Sequence, residues 1–519
     1  MTLEHAVGIR TGDLATLIVY FAITLGIGFW CSKRLTSTEG YFVGGRKIPG
    51  WAVGISMLGT AISSVTFLAY PGSAFAGNWS KLVPGLTIPI AAVFAVYVFV
   101  PFYRKVRLVS AYEYLERRFG AWARVYGCIT WSLNSAYRMG IILFLLSLLI
   151  RKMTGYDLYA TIIVMGVLVT IYTVMGGIEA VIWTDVMQTI VLLLGGILCI
   201  STVFIEIPGG IGAVFTQAIQ NQKFNLTVDW NLNFVRETIW VLMLYGLMQN
   251  LQEFASDQTK IQRYCAASSD QGAKRSVWIG GLGCIPVWMI FMFVGTSLWV
   301  FYQNYAGQLP EGILPDDVFP HFILTQLPVG LAGLVIAAAL AAAMSSIDSC
   351  MNGVSTVLTT DIYRRFMRRG SEDRHYLNVA RFITGLAGFL MISASVFLAW
   401  IVENEKIQLE SILGLGFFIY SVLACGVGGM YFLGFFTKRS NSMGVLIGII
   451  LAFAITLWMT LSEIGYFPKV AASPFHRLMI NVFSNVASFV VGYFASYLFP
   501  KPPKEKLEHL TVWNNETSA

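Results

Sequence analysis

Long apolar stretches alternate along this chain with short polar segments. Counting stretches of about 18 to 28 residues predicts thirteen helices, at 13–31, 50–76, 83–103, 122–150, 156–175, 180–206, 236–256, 277–302, 328–362, 377–402, 410–436, 443–464 and 476–499. The second stretch breaks the pattern, with small polar residues at its middle and Pro71-Gly72 near its end. Its run Gly59-Thr60-Ala61-Ile62-Ser63-Ser64-Val65-Thr66 reads in one of two ways. It is either an unwound segment lining a cavity or a small-residue face that lets helices pack closely.

The polar segments set an orientation. If thirteen crossings alternate, one side collects 25 Lys and Arg residues and the other 9, with Arg138 left inside a span. The positive-inside rule then places the amino terminus outside and the carboxyl tail in the cytoplasm of a plasma (inner) membrane. The first stretch does not read as a cleavable signal, because Glu4 and Asp13 precede or enter it and no A-x-A site follows.

Composition agrees with this pattern. Of 519 residues, 56% are hydrophobic and 12% charged, too few charges to cover the surface of a soluble protein of this length. A soluble enzyme, a disordered scaffold and a nucleic-acid binder are excluded on that ground. The net charge of +7 follows from the basic loops and needs no acidic partner. Seven cysteines without a C-x-x-C pair and five histidines without H-x-x-x-H spacing give no disulfide framework or zinc site. No phosphate-binding G-x-x-x-x-G-K-[ST], H-E-x-x-H or G-x-S-x-G is present, so nothing nominates an ATP motor or an enzyme.

Ionisable groups inside spans are costly and ask for a partner or a role. Arg138, Asp185, Glu253 and Asp348 are the four here. Ser345, Asp348 and Ser349 are spaced i, i+3 and i+4 and share a helix face, with Ser346 beside it. Their oxygens suit a hard cation; alternatively, the serines bond back to their own helix and Asp348 faces a vestibule. Asp185 reads as an ion ligand or as a carboxylate paired with a nearby cation. Arg138 reads as scaffold paired to a buried carboxylate, or as a fork for an anionic ligand. Asn250, Gln252 and Glu253 run toward Asp257, Lys260 and Arg263, as a permeation lining or an inner-gate network.

Several stretches resemble the sodium:solute symporter family, which includes sodium/glucose, sodium/proline and bacterial sodium/sialic acid symporters. They are Gly40-YFVGGRKIPGW, Ala111-YEYLERRF, Tyr172-TVMGGIEAVIWTD, Asp257-QTKIQRY and Ala341-AAMSSIDS through Asp361-Ile-Tyr, in order from about residue 15 to 440. Within the family the pattern most resembles the sialic acid branch. The resemblance implies an all-α polytopic fold of the LeuT type, two five-helix inverted repeats. They would occupy 50–206 and 207–440, after an extra helix and loop in 1–49 and before additional helices and a tail in 441–519.

The resemblance also implies sodium-coupled import of a small organic solute by alternating access. The family's principal sodium site maps onto Gly59, Ile62, Ala342, Ser345 and Ser346, and the sialic acid branch implies a second onto Asp185, Ser345, Asp348 and Ser349. Asp348 stands where that branch has serine; a carboxylate there either strengthens cation binding, takes a proton or forms a salt bridge. For the solute, Ser63, Ser64, Thr66 and Arg138 match the sialic acid pattern, with Arg138 aligned to the arginine that holds the substrate carboxylate. Ala61 and Gly85 depart from it, where threonine and glutamine are expected. Asn250 matches a sugar-contacting asparagine of galactose symporters. An organic or sugar acid such as sialic acid is therefore expected, with a neutral sugar or polyol as the alternative. A membrane sensor or channel is the alternative outside transport. Sodium, the solute and the bilayer are the partners expected, with no obligatory protein partner.

Overall fold

The computed structural model describes residues 10–106, 108–226, 229–404, 422–468 and 470–513, and among these there is no β-sheet, only two isolated bridges. The main helices are α1 (Thr11–Ser32), α2 (Gly50–Ala61), α3 (Ser64–Ala76), α4 (Ser80–Val106), α5 (Ala111–Phe119), α6 (Ala121–Thr154) and α7 (Leu158–Glu206). They continue as α8 (Ile239–Ser256), α9 (Gln258–Ala266), α10 (Asp270–Asn304), α11 (Leu331–Met367), α12 (Asp373–Asn404), α13 (Val427–Phe436), α14 (Ser442–Glu463) and α15 (Met479–Leu498).

Nine helices among the described residues are long and apolar enough to cross a membrane, or ten with the bent α2–α3 pair taken as one. The sequence count of thirteen differs for identifiable reasons. The stretches expected at 156–175 and 180–206 form one element, α7, broken at Gly177. Gly177 has φ 57° and ψ −152°, a conformation that favours glycine, and a Cβ there would lie 2.7 Å from the Tyr41 carbonyl oxygen. The stretch at 236–256 becomes α8, which carries Gln249, Asn250, Gln252 and Glu253 on its last turns. Part of the expected span 410–436 lies outside the described residues, and α13 is its described portion.

The interrupted second stretch is broken, more narrowly than its sequence suggests. Only Ile62 and Ser63 leave the helix, and the two halves bend by 58°. At the centre of the bundle lies α11, where every residue from Val335 to Val357 is buried. It packs against α7, α6, α1, α12 and α2. Its amino-terminal end is held from another helix: Asp13 Oδ1 on α1 accepts hydrogen bonds from the Gly330 and Gly333 N–H groups at 2.7 and 2.9 Å. Arg10 Nε pairs with the other oxygen of Asp13 at 2.7 Å. A helix start leaves its first N–H groups without internal partners, and here α1 supplies the acceptor.

Candidate functional site

The break between α2 and α3 exposes backbone oxygens that a continuous helix would have used. Ile62 has φ −99° and ψ 111°, and Ser63 φ −107° and ψ 176°. Helix carbonyls before such an end lose their usual donors. The hydroxyls of α11 replace them. Ser345 Oγ donates to the Gly59 carbonyl at 3.0 Å and to its own Ala342 carbonyl at 3.3 Å, and Ser346 Oγ donates to the Thr60 carbonyl at 3.2 Å. Gly59, Ala342, Ser345 and Ser346 thus meet at one locus, and Ile62 is fully buried at the break beside them. Neutral carbonyl and hydroxyl oxygens in this arrangement suit a hard monovalent cation.

One turn along α11 the chemistry changes. Asp348 is fully buried, and Tyr172 of α7 donates to its Oδ2 at 2.8 Å. Asp185, also fully buried, is engaged by Arg263 of α9. The Arg263 Nη2 donates to Asp185 Oδ2 at 2.8 Å, Ser349 Oγ at 2.7 Å and Thr60 Oγ1 at 2.8 Å, while its Nε donates to Ser56 Oγ at 2.8 Å. Ser56 in turn donates to Asp185 Oδ2 at 2.5 Å. The other Asp185 oxygen, Oδ1, is buried without a partner among the described residues, as is the amide of Gln188 one turn on.

Asp185 is paired with Arg263 through Oδ2 alone, and its Oδ1 is left over. The four residues grouped as a second ion set also divide: Ser345 turns to Gly59, and Ser349 turns to Arg263. The sequence reading places Arg263 in a gate cluster and misses this pairing. The local signal is present in part, because Asp257 caps α9 by accepting from the Thr259 and Lys260 N–H groups, which fixes where Arg263 projects. The companion Lys260 reaches back to Glu253 at 2.5 Å.

A cavity of 440 Å³ adjoins these loci. Arg138 and Asn134 of α6, Asn250 of α8 and Trp288 of α10 line it, and Thr60 and Arg263 connect its wall to the charged locus. Arg138 and Asn250 thus line one cavity. Ser63 and Thr66 do not line the cavity, Thr66 being buried, and the Ser64 side chain lies outside the described residues. The Asn250 amide donates to Thr87 Oγ1 at 3.0 Å and to the Pro84 carbonyl at 3.4 Å, so it fixes the first turns of α4 as it faces the cavity.

Comparison with known proteins agrees with this architecture. The family model described as the sodium:solute symporter family matches residues 41–452. The sodium/sialic acid symporter of Proteus mirabilis is 36% identical over 446 residues, 85% of this chain and 88% of that protein. The sodium/sialic acid symporter of Aliivibrio fischeri is 32% identical, with 94% of each covered. A solved sodium-coupled sialic acid symporter, substrate-bound and outward-open, superposes with a TM-score of 0.86 at 32% identity, covering 95% of this chain and 99% of that one. The nucleobase-cation symporter Mhp1, at 14% identity and a TM-score of 0.54 over 90% of this chain and 97% of its own, shares the fold. The helical bundle with its broken α2–α3 pair is thus of the LeuT type, and the chain belongs to the sodium:solute symporter family, a multi-pass membrane carrier that couples sodium to a small solute.

Proposed function

We propose that this carrier imports an anionic sugar acid of the sialic acid kind, driven by sodium. One observation carries the reading: Arg138 lines a cavity whose wall continues through Thr60 into the broken helix and the neutral oxygen locus. A guanidinium in such a wall is suited to hold a carboxylate through two parallel bonds, while the ion sits within reach of the same backbone. The two sialic acid symporters among the relatives support the same solute class.

Gly59, Ile62, Ala342, Ser345 and Ser346 are proposed as the principal sodium ligands. A second sodium is proposed at Asp185, Asp348 and Ser349, because the two carboxylates there outnumber the single guanidinium by one charge. Ser63, Ser64 and Thr66 are proposed to approach the solute when the broken helix moves. In the membrane we propose thirteen crossings of the plasma membrane, with the amino terminus outside and the tail in the cytoplasm. The inverted repeats at 50–206 and 207–440 then rock about the broken helices.

A proteoliposome uptake screen over sialic acids, monocarboxylates, sugars and polyols, with and without a sodium gradient, tests this. Sodium-driven uptake of a sialic acid is expected. Arg138→Lys keeps the charge and loses the planar fork, so solute binding should weaken by about tenfold or more, with sodium binding measured alone little changed. Undiminished binding of the transported solute by Arg138→Lys and Arg138→Ala would remove the carboxylate role and favour a neutral sugar or polyol.

A further inference from the structure

The solute cavity has one wall that neither the ion loci nor Arg138 uses. Trp288 of α10 lies directly on Gly85 in the first turns of α4. A Cβ at residue 85 would come within 2.3 Å of the indole Cζ3 and 2.7 Å of Cε3, so only glycine lets the ring approach the backbone this closely. Tyr70 of α3 meets the indole edge-on, with centroids 6.0 Å apart and planes at 89°. Both rings line the cavity that holds Arg138 and Asn250. The far edge of the indole carries Nε1, which is buried and has no acceptor among the described residues.

A tryptophan on a membrane helix is most often packing or an interfacial anchor. Three features set Trp288 apart. The position beneath it is cleared of a side chain, the ring stays partly open to the cavity, and its donor is left unmet, which is costly for a buried group. An aromatic face is electron-rich at its centre and attracts the polarised C–H groups of a pyranose ring. A short open-chain acid offers no such face.

We propose that Trp288 is the ring-recognition surface of this carrier. With the solute carboxylate on Arg138, the C–H face of a cyclic sugar acid lies on the part of the indole that is open to the cavity. The inference rests on the anionic-solute reading above and adds a shape to it: ring-bearing acids bind, and short open-chain acids bind poorly.

Isothermal titration of N-acetylneuraminate at saturating sodium, on purified wild type, Trp288→Ala, Trp288→Phe and Gly85→Ala, tests it. Trp288→Ala should weaken binding by about tenfold, and Trp288→Phe, which keeps a smaller ring face, by about threefold. Gly85→Ala displaces an unaltered indole and should fall between them. Sodium titrated alone should bind all four proteins alike. Wild-type affinity in Trp288→Ala and Gly85→Ala overturns the proposal, and so does loss of sodium binding in step with solute binding, the mark of a packing role. If the uptake screen shows that wild type carries an open-chain acid, ring recognition is overturned while the anionic reading stands. If it carries a neutral sugar, the anionic reading fails, and the same series run with that sugar decides the role of the indole.

Discussion

On one face of α11, a single turn separates two oxygen-rich loci built from opposite materials. At Ser345 and Ser346 every group is neutral: two hydroxyls donate to the carbonyls of Gly59, Thr60 and Ala342. At Asp348 and Ser349 the same helix meets two buried carboxylates and a guanidinium that is 1% exposed. The first locus is satisfied within the protein, since its hydroxyls meet its carbonyls. The second cannot be left without positive charge, because an unpaired buried carboxylate is far costlier than an unpaired hydroxyl. Arg263 supplies that charge from a helix outside the broken pair, so the stability of the bundle and the electrostatics of the charged locus depend on one side chain.

Substitutions can break this contrast, and the charged locus should show the larger effect. Asp185→Ala strands Arg263 among Ser56, Thr60 and Ser349, and should cost about 3–5 kcal/mol, as removal of one partner from a buried pair does. Thermal unfolding in detergent checks this. An apolar double replacement, Asp185→Leu with Arg263→Met, should recover most of the loss, and failure to recover would mean that the pair holds more than itself. Ser346→Ala should cost less in unfolding than Asp185→Ala, about 1–2 kcal/mol for the Thr60 carbonyl it leaves unmet, and raise the sodium concentration for half-maximal uptake by about tenfold, since one proposed ligand is gone. Normal sodium dependence in that variant would take Ser346 out of the site. The smallest effect sharpens the comparison: Asp348→Ser removes a negative charge and puts a neutral hydroxyl in its place. It should raise the half-saturating sodium by about threefold and lower the steepness of the sodium curve. An unchanged curve would restrict sodium coupling to the neutral locus.

How far the sequence anticipates this differs between the loci. The neutral one is legible in part: an unwound segment is one of two readings of the second stretch, and the grouping of Gly59, Ile62, Ala342, Ser345 and Ser346 comes from the family resemblance and not from spacing. The charged one is legible only by half. Periodicity places Asp348 and Ser349 on a face, but a helix face is wide enough to serve two neighbours, and spacing does not say that Ser345 turns to α2 while Ser349 turns to Arg263. Nor can local pattern pair Arg263 with an aspartate 78 positions away. Tyr172 reads as part of a motif and not as the donor to Asp348. The helices themselves are legible where they are continuous and apolar. The differences come at α7, where two apolar stretches meet at Gly177 with no loop between them, and at α8, whose polar last turns face the cavity.

The acceptor that α1 offers to α11 bears on how the protein is made. Asp13 and Gly330 are 317 positions apart, so at about 5–20 residues per second the first helix waits on the order of tens of seconds for its partner to be synthesised. Through that interval a carboxylate near the end of a lipid-exposed helix has Arg10, three residues away, as its ion-pair partner. Arg10 thus neutralises Asp13 within the segment itself, and α7, the helix that α1 packs against most extensively, is made before α11. Only the capping of α11 by Asp13 is then left for the late stage of synthesis.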